Sequence, residues 1–344
     1  MLQLKNTTPF RAQLAVLPDH RGVETAIVVV KATFELGSVL RLAEEQAAVA
    51  LGDEWWGKPD ASSLKYPSEL HLPKPTTDVA LLGSAQAPGR RPIRSLDVSV
   101  RVADVQKAVR VFGERVWTGR RFGASFTGPE LFETMPLVYE RSFGGLHVVD
   151  AQRGKVHFEP RNPVGCGFRG KRSLSEMKGV PLPNLEDPAR SLRRPGSSAS
   201  PAGFGFIALT WEPRIGHAGT YDETWRKTRA PFLPVDFDPR FFNAAHPDLV
   251  CTRHLVGGES VTATNVWCEG PLSFDLPVCE FDLSVSIRGE TSHPPLFLET
   301  VTIEPDDSRL CMLWRATTPC EKAVLQVEQV ELGLRRLTIA GRTA

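Results

Sequence analysis

The 344-residue chain has almost no net charge, because 41 lysines and arginines offset 40 aspartates and glutamates to leave +1. Composition therefore does not suggest a strongly basic nucleic-acid binder or an acidic solvated tail. The basic doublets Arg90-Arg91, Arg120-Arg121, Lys171-Arg172 and Arg193-Arg194 are scattered along the sequence. No run approaches the ~20 apolar residues of a membrane helix. A run such as Ala26-Ile-Val-Val-Val30 is strand-sized. Residues 1–10 lack a basic region followed by an apolar segment of signal-peptide length. The expectation is a soluble, cytoplasmic protein with no membrane or nucleic-acid partner.

Chemical signatures are also missing. The six cysteines (Cys166, Cys251, Cys268, Cys279, Cys311 and Cys320) form no C-x-x-C pair and read as buried free thiols. None of the eight histidines stands in H-E-x-x-H, and Cys251-Thr-Arg-His254 has no second half at zinc spacing. No G-x-x-x-x-G-K-[ST] loop or G-x-S-x-G elbow occurs. Gly165-Cys-Gly167 reads as a loop needing positive φ rather than a phosphate cradle. No cofactor, metal or catalytic residue is expected.

What is abundant is turn-forming residues, with 28 glycines and 28 prolines, which favours short strands over long helices. Thr25–Phe34 is rich in β-branched residues and reads as a strand that residues 10–17 can pair with. Residues 39–51 suit either a further strand or a helix. Leu96, Val98, Val100 and Val102 alternate with Asp97, Ser99 and Arg101, and Val109 and Val111 flank Arg110, which predicts a half-buried hairpin. Residues 53–78 predict an ordered loop pinned by Trp55 and Trp56. Pro129–Met135 predicts one short helix. Leu310-Cys-Met-Leu-Trp314 predicts a strand buried on both faces. Eleven prolines lie between Pro160 and Pro239, and the polar run 193–200 reads as mobile. The expected architecture is mainly β. Two antiparallel, sandwich-like regions (1–128 and 246–344) are joined by a proline-rich, loop-rich ordered middle (129–245) with few short helices.

The least generic stretch is Gly219–Asn243, where aromatic, acidic and basic residues crowd among three prolines. Tyr221, Asp222, Trp225, Arg229, Asp236, Asp238 and Arg240 are its candidate bracing or partner-binding residues. Asp236 and Asp238, two apart, would face one side of an extended segment. Such a pair, with Trp225 or Tyr221, would suit a carbohydrate-active enzyme or lectin. The structural reading is an Asx-Pro turn at Asp238-Pro239, with the acids paired to Arg226, Arg229 and Arg240.

Short motifs in a fixed order run almost end to end. They are Asn6-x-Thr8-Pro9-Phe10, Lys31-Ala-Thr-Phe34, Ser62-Ser-Leu64, Lys74-Pro-x-Thr-Asp78, Val111-Phe-Gly-x-Arg115-x-Trp117 and Pro136-Leu-x-Tyr-Glu-Arg-x-Phe-Gly-Gly145. Further on come Arg161-Asn-Pro-x-Gly165, Leu182-Pro-Asn-Leu-Glu186, Gly219-Thr-Tyr-Asp222, Trp225, Leu233-Pro-x-Asp-Phe-Asp238, Arg240-Phe-Phe-Asn243, Gly257-Gly-Glu259 and Trp314-Arg315. In these the chain resembles the domain-of-unknown-function family of type VI secretion effector adaptors, encoded beside the spike and its PAAR-repeat tip. One departure is Leu146-His147 after the glycine pair, where an aspartate is common. The resemblance implies a non-enzymatic adaptor or effector-loading chaperone, whose partners are a secreted effector and the spike or PAAR tip protein. It lends no catalytic residues. A structural part of the secretion apparatus is a further alternative.

Overall fold

A computed structural model describes residues 3–120, 123–197, 199–321 and 323–339. The chain is mainly β, and fifteen strands build its three larger sheets. In chain order these are β1 (Leu4–Asn6), β2 (Arg11–Pro18), β3 (Glu24–Glu35), β4 (Arg41–Leu42), β5 (Asp78–Leu81), β6 (Ser95–Val102), β7 (Val105–Phe112) and β8 (Leu185–Glu186). There follow β9 (Ser260–Thr264), β10 (Leu272–Asp275), β11 (Val278–Ile287), β12 (Glu290–Ser292), β13 (Phe297–Glu304), β14 (Arg309–Pro319) and β15 (Val327–Thr338). The six-stranded sheet runs β2-β3-β14-β13-β5, with β4 also on β3. The five-stranded sheet runs β8-β7-β6-β9-β10, and the four-stranded sheet β1-β15-β11-β12. Within these three sheets pairing is antiparallel except for β1 with β15 and β5 with β13. The one α-helix among the described residues, α1, spans Glu223–Thr228, and no helix there is long and apolar enough to cross a membrane.

Period-two sequence becomes two-faced sheet. Along β3, Val28, Val30, Ala32 and Phe34 enter the main core together with Leu310, Met312 and Trp314 of β14. This face packs on the other two sheets. Phe10 meets Phe34 and Phe281 at ring separations of 6.4 and 6.0 Å, and Phe281 meets Trp314 at 5.2 Å. Each such side chain contributes roughly 1.5–3 kcal/mol on burial. The opposite face carries Ile27, Val29 and Leu313 in a separate cluster, then Lys31, Thr33, Thr302, Glu304 and Arg315, all buried. A bulge between Leu298 and Thr300 shifts the register of β13 on β14.

The hairpin forms as the alternation predicts. Val98, Val100, Val102, Val109 and Val111 are fully buried, and β6 and β7 pair from Val102–Val105 outward. The strand at 310–314 is buried on both faces, and residues 11–18 pair with β3. All six cysteines are free, although Cys268 is exposed.

Several expectations need correction. Pro129–Met135 is extended. Phe132 exchanges two 2.9 Å backbone hydrogen bonds with Ile93, and Thr134–Pro136 pairs with Ser84–Gln86. Neighbouring strands supply these partners, whereas a single helical turn would bear the nucleation cost alone. Residues 39–51 form no helix and pair only through β4. Beyond it Gln46 mimics a strand: its Oε1 accepts from Thr33 N–H at 2.8 Å, and its Nε2 donates to Thr33 O at 3.0 Å. Trp55 packs against a core cluster, but Trp56 is 42% exposed beneath the Lys65 ammonium. Within the polar run 193–200, Ser197 N–H closes a turn on Arg194 O at 3.0 Å, and Ser198 lies outside the described residues.

Candidate functional site

The stretch 219–243 is an exposed, internally cross-braced loop. Asp222 caps α1 by accepting from Trp225 N–H at 2.8 Å, which supports the helix by about 1 kcal/mol. Tyr221 stands edge-on to Trp225 at 4.7 Å. Trp225 Nε1 donates to Phe232 O at 2.8 Å. Arg229 donates to Leu233 O at 3.1 Å and to His20 O, which ties the loop to the β2–β3 turn. Phe232 lies against Gly22, whose φ is +86° and where a Cβ would come 3.2 Å from the ring, so glycine is required there.

The acids of this loop are only partly paired as expected. Asp238 does bind Arg240, accepting from its Nε at 2.7 Å and its backbone N–H at 2.9 Å. Asp236 instead accepts from Thr220, at 3.0 Å from N–H and 2.7 Å from the hydroxyl. Arg226 pairs with Glu223 at 2.9 Å, and Arg229 binds only the two carbonyls among the described residues. Backbone and hydroxyl hydrogen bonds from Thr220 lower the pKa of Asp236. The hydrogen bond from Arg240 lowers that of Asp238. A glycosidase acid needs the reverse, a carboxyl held protonated. Arg240 is itself exposed.

Beneath this loop, on the polar face of the six-stranded sheet, lies a layer of buried ion pairs that the sequence reading missed. Lys74 pairs with Asp78 at 2.7 Å, and Arg315 with Glu299 at 2.6 Å, with all four side chains at most 1% exposed. Asn243 Nδ2 and Ala244 N–H donate to Asp78 at 2.8 and 2.7 Å, anchoring the end of the brace. Phe242 stacks on His71 at 5.2 Å. Burial, then the Arg315 charge, holds the His71 pKa well below its usual value. Lys31 pairs with Glu69 at 2.8 Å, and Glu304 binds both Tyr66 and Arg309. These groups border a cavity of about 270 Å³. Burial pushes the Cys311 thiol there up to about 11, so it is not a thiolate nucleophile at neutral pH. The traceable signal was Arg315 itself, a charge closing the apolar run Leu310–Trp314.

A second concavity is an open cleft of about 830 Å³ where the middle loops meet the chain around His246. Tyr139, Arg161, Arg190, Ile215, His246 and Asp248 shape it. Close backbone packing lies behind the Tyr139 and Arg161 side of this cleft. Asn162 Nδ2 donates to Tyr139 O and Phe143 O at 2.8 and 3.1 Å. A Cβ on Gly144 would come 2.1 Å from Asn162 O. The motifs ending in Gly145 and beginning at Arg161 therefore encode one knot, in which Phe143–Gly144 and Cys166–Gly167 pair in parallel. Two of the charged wall residues are paired, Arg161 with Glu159 at 2.6 Å and Lys107 with Asp248 at 2.8 Å. His246 Nδ1 accepts from Asp248 N–H at 3.2 Å. Burial, then Lys107, lowers the His246 pKa to about 4, so the ring is neutral at pH 7. Ile215 is 44% exposed and gives the cleft an apolar patch. None of the seven candidate residues from 221 to 240 lines it.

No curated protein and no solved structure matches the chain. The sequence pattern of a bacterial family, DUF2169, matches residues 21–315, so the chain belongs to that family of uncharacterized proteins conserved in bacteria.

Proposed function

We propose that the protein is a non-enzymatic adaptor. It binds a type VI secretion effector in the cytoplasm and helps load it onto the spike or the PAAR tip. The ordered motif series from Asn6 to Arg315 motivates the assignment to secretion. The observation that carries the binding role is the open 830 Å³ cleft, in which the exposed Ile215 stands among charged side chains such as Arg190 and Glu212. In this reading Ile215 and Arg190 meet the effector, and the 219–243 brace holds the neighbouring surface in shape. The test is co-expression of the tagged protein with a neighbouring effector and spike or tip protein. Capture of the effector is expected from the native chain. Ile215→Glu should lose capture while the unfolding midpoint stays unchanged. Failure of the native chain to capture either partner removes the adaptor reading. Capture that survives Ile215→Glu and Arg190→Glu moves the binding surface elsewhere.

A further inference from the structure

Strand β2 ends the six-stranded sheet and, among the described residues, pairs only with β3. Which of its backbone groups are used follows from the turn. Asp19 N–H donates to Val23 O at 2.8 Å, so Asp19 and Val23 oppose each other as a hydrogen-bonded pair. Antiparallel pairs alternate between bonded and non-bonded, and the register aligns Leu17 with Thr25 and Arg11 with Lys31. Arg11, Gln13, Ala15 and Leu17 therefore bond to β3, while Ala12, Leu14 and Val16 turn their N–H and C=O outward. Two contacts on β3 agree with this parity. Glu24 O accepts from Cys320 on the far side, and Thr33 N–H and O are taken by Gln46 and Ala43 on the β2 side. Among the described residues, no group accepts from Ala12, Leu14 or Val16 N–H, and Leu14 O accepts only from Gln13 Nε2, at 3.3 Å. The strand is half-exposed, apolar on the face of Ala12, Leu14 and Val16 and mixed on the face of Arg11, Gln13, Ala15 and Leu17, and it carries one charge, Arg11.

We infer that β2 pairs with β2 of a second copy of this chain across a two-fold axis at Leu14, joining the two six-stranded sheets edge to edge. The sequence selects this register. With Leu14 opposite its symmetry mate, Ala12 faces Val16 of the second copy, and these outward residues exchange about six backbone hydrogen bonds. Moving the axis one residue toward Pro18 would bring its missing N–H into the ladder, and moving it one residue toward Phe10 would bring in Phe10, whose N–H and C=O are already taken by Thr8 and Asn6. Arg11 then faces Leu17 of the second copy and lies diagonally across from Asp19, so the charges complement twice and no like charges oppose. The contact is isologous and closed, so it stops at a dimer. This goes beyond the adaptor reading and does not depend on it.

Sedimentation equilibrium of the full chain tests the inference. The native protein is expected at twice 37.9 kDa. Leu14→Pro removes an N–H that faces the open edge and leaves the β3 ladder intact. Ala15→Lys sets like charges diagonally across the axis. Each variant should weaken the dimer at least about tenfold, a loss of roughly 1.4 kcal/mol. Gln13→Glu combined with Ala15→Lys places opposite charges face to face and should restore the dimer. A native protein that stays monomeric at about 100 μM, whose Kd limit would then be weaker than roughly −5.5 kcal/mol, overturns the inference. A dimer indifferent to Ala15→Lys overturns it as well. A monomer that instead takes up an extended peptide at this edge assigns the edge to another partner and also overturns it.

Discussion

The two faces of the six-stranded sheet are built from the same strands and hold together by different physics. On β14, Leu310, Met312 and Trp314 join an apolar core shared by three sheets. One residue along each time, Cys311 and Arg315 face buried acids and a loop layer. The apolar face is non-directional, so its stability follows buried area and tolerates small shape changes. The polar face holds charges whose desolvation is offset only while every partner stays in place. The fragile side should therefore be the charged one, although both are equally buried.

The largest expected effect tests this directly. Glu299→Ala strands Arg315 as a buried charge and should cost about 3–5 kcal/mol in urea unfolding. The double variant Glu299→Ala/Arg315→Met should cost less than the sum of the two singles. Additive costs would mean that the polar layer is not a coupled unit. Next comes pH. In the native chain His246 stays neutral down to about pH 4, whereas unfolded it takes a proton below about 6.5. Unfolding therefore takes up a proton between those values. Its stability contribution is complete above about 6.5 and declines toward 4, by about 3 kcal/mol at most. Buried His71 shifts in the same direction and steepens the decline. His246→Asn should flatten the profile measured by chemical unfolding between pH 4.5 and 6.5, while apolar-face variants should keep its slope. A smaller effect is expected from Ile303→Val on the apolar face, about 0.5–1.5 kcal/mol and independent of pH. The smallest belongs to the exposed brace. Asp236→Ala removes two hydrogen bonds from Thr220 and should barely move the melting temperature, with effector capture unchanged. Lost capture at full stability would make the brace part of the contact surface.

How much of this was legible follows the same division. The hairpin at 95–112 and the strand at 24–35 could be read because their side chains alternate locally, and period two needs no knowledge of distant residues. The polar layer could not, because its pairs are long-range. Lys31 meets Glu69, and Glu304 meets Tyr66. Glu299 reaches Arg315 beside the bulge at Leu298/Thr300, a register change that alternation does not announce. Residues 129–135 misled for a related reason, since proline and glutamate suit a helix start but Ile93 and Ala85 supplied strand partners. In 219–243 the crowding was informative and the pairing was not. Asp238 found Arg240, two residues away, while Asp236 turned to Thr220. The cleft was hidden because its lining comes from segments between Lys107 and Asp248. Its knot, however, was present in the glycines at 144, 145 and 165, which only close backbone packing explains.

The neighbours of β3 also set a timetable for synthesis. β2 is made before it, but β14, its partner along eleven residues from Glu35–Arg309 to Thr25–Pro319, follows about 270 residues later. At bacterial elongation rates the strand waits roughly 15–55 s for its companion. Throughout that interval a twelve-residue segment, apolar over most of its length, has one edge unmatched. The nascent chain must therefore be shielded from its neighbours on the polysome, and slowing elongation before residue 309 should raise the aggregated fraction of newly made protein more than slowing it afterwards.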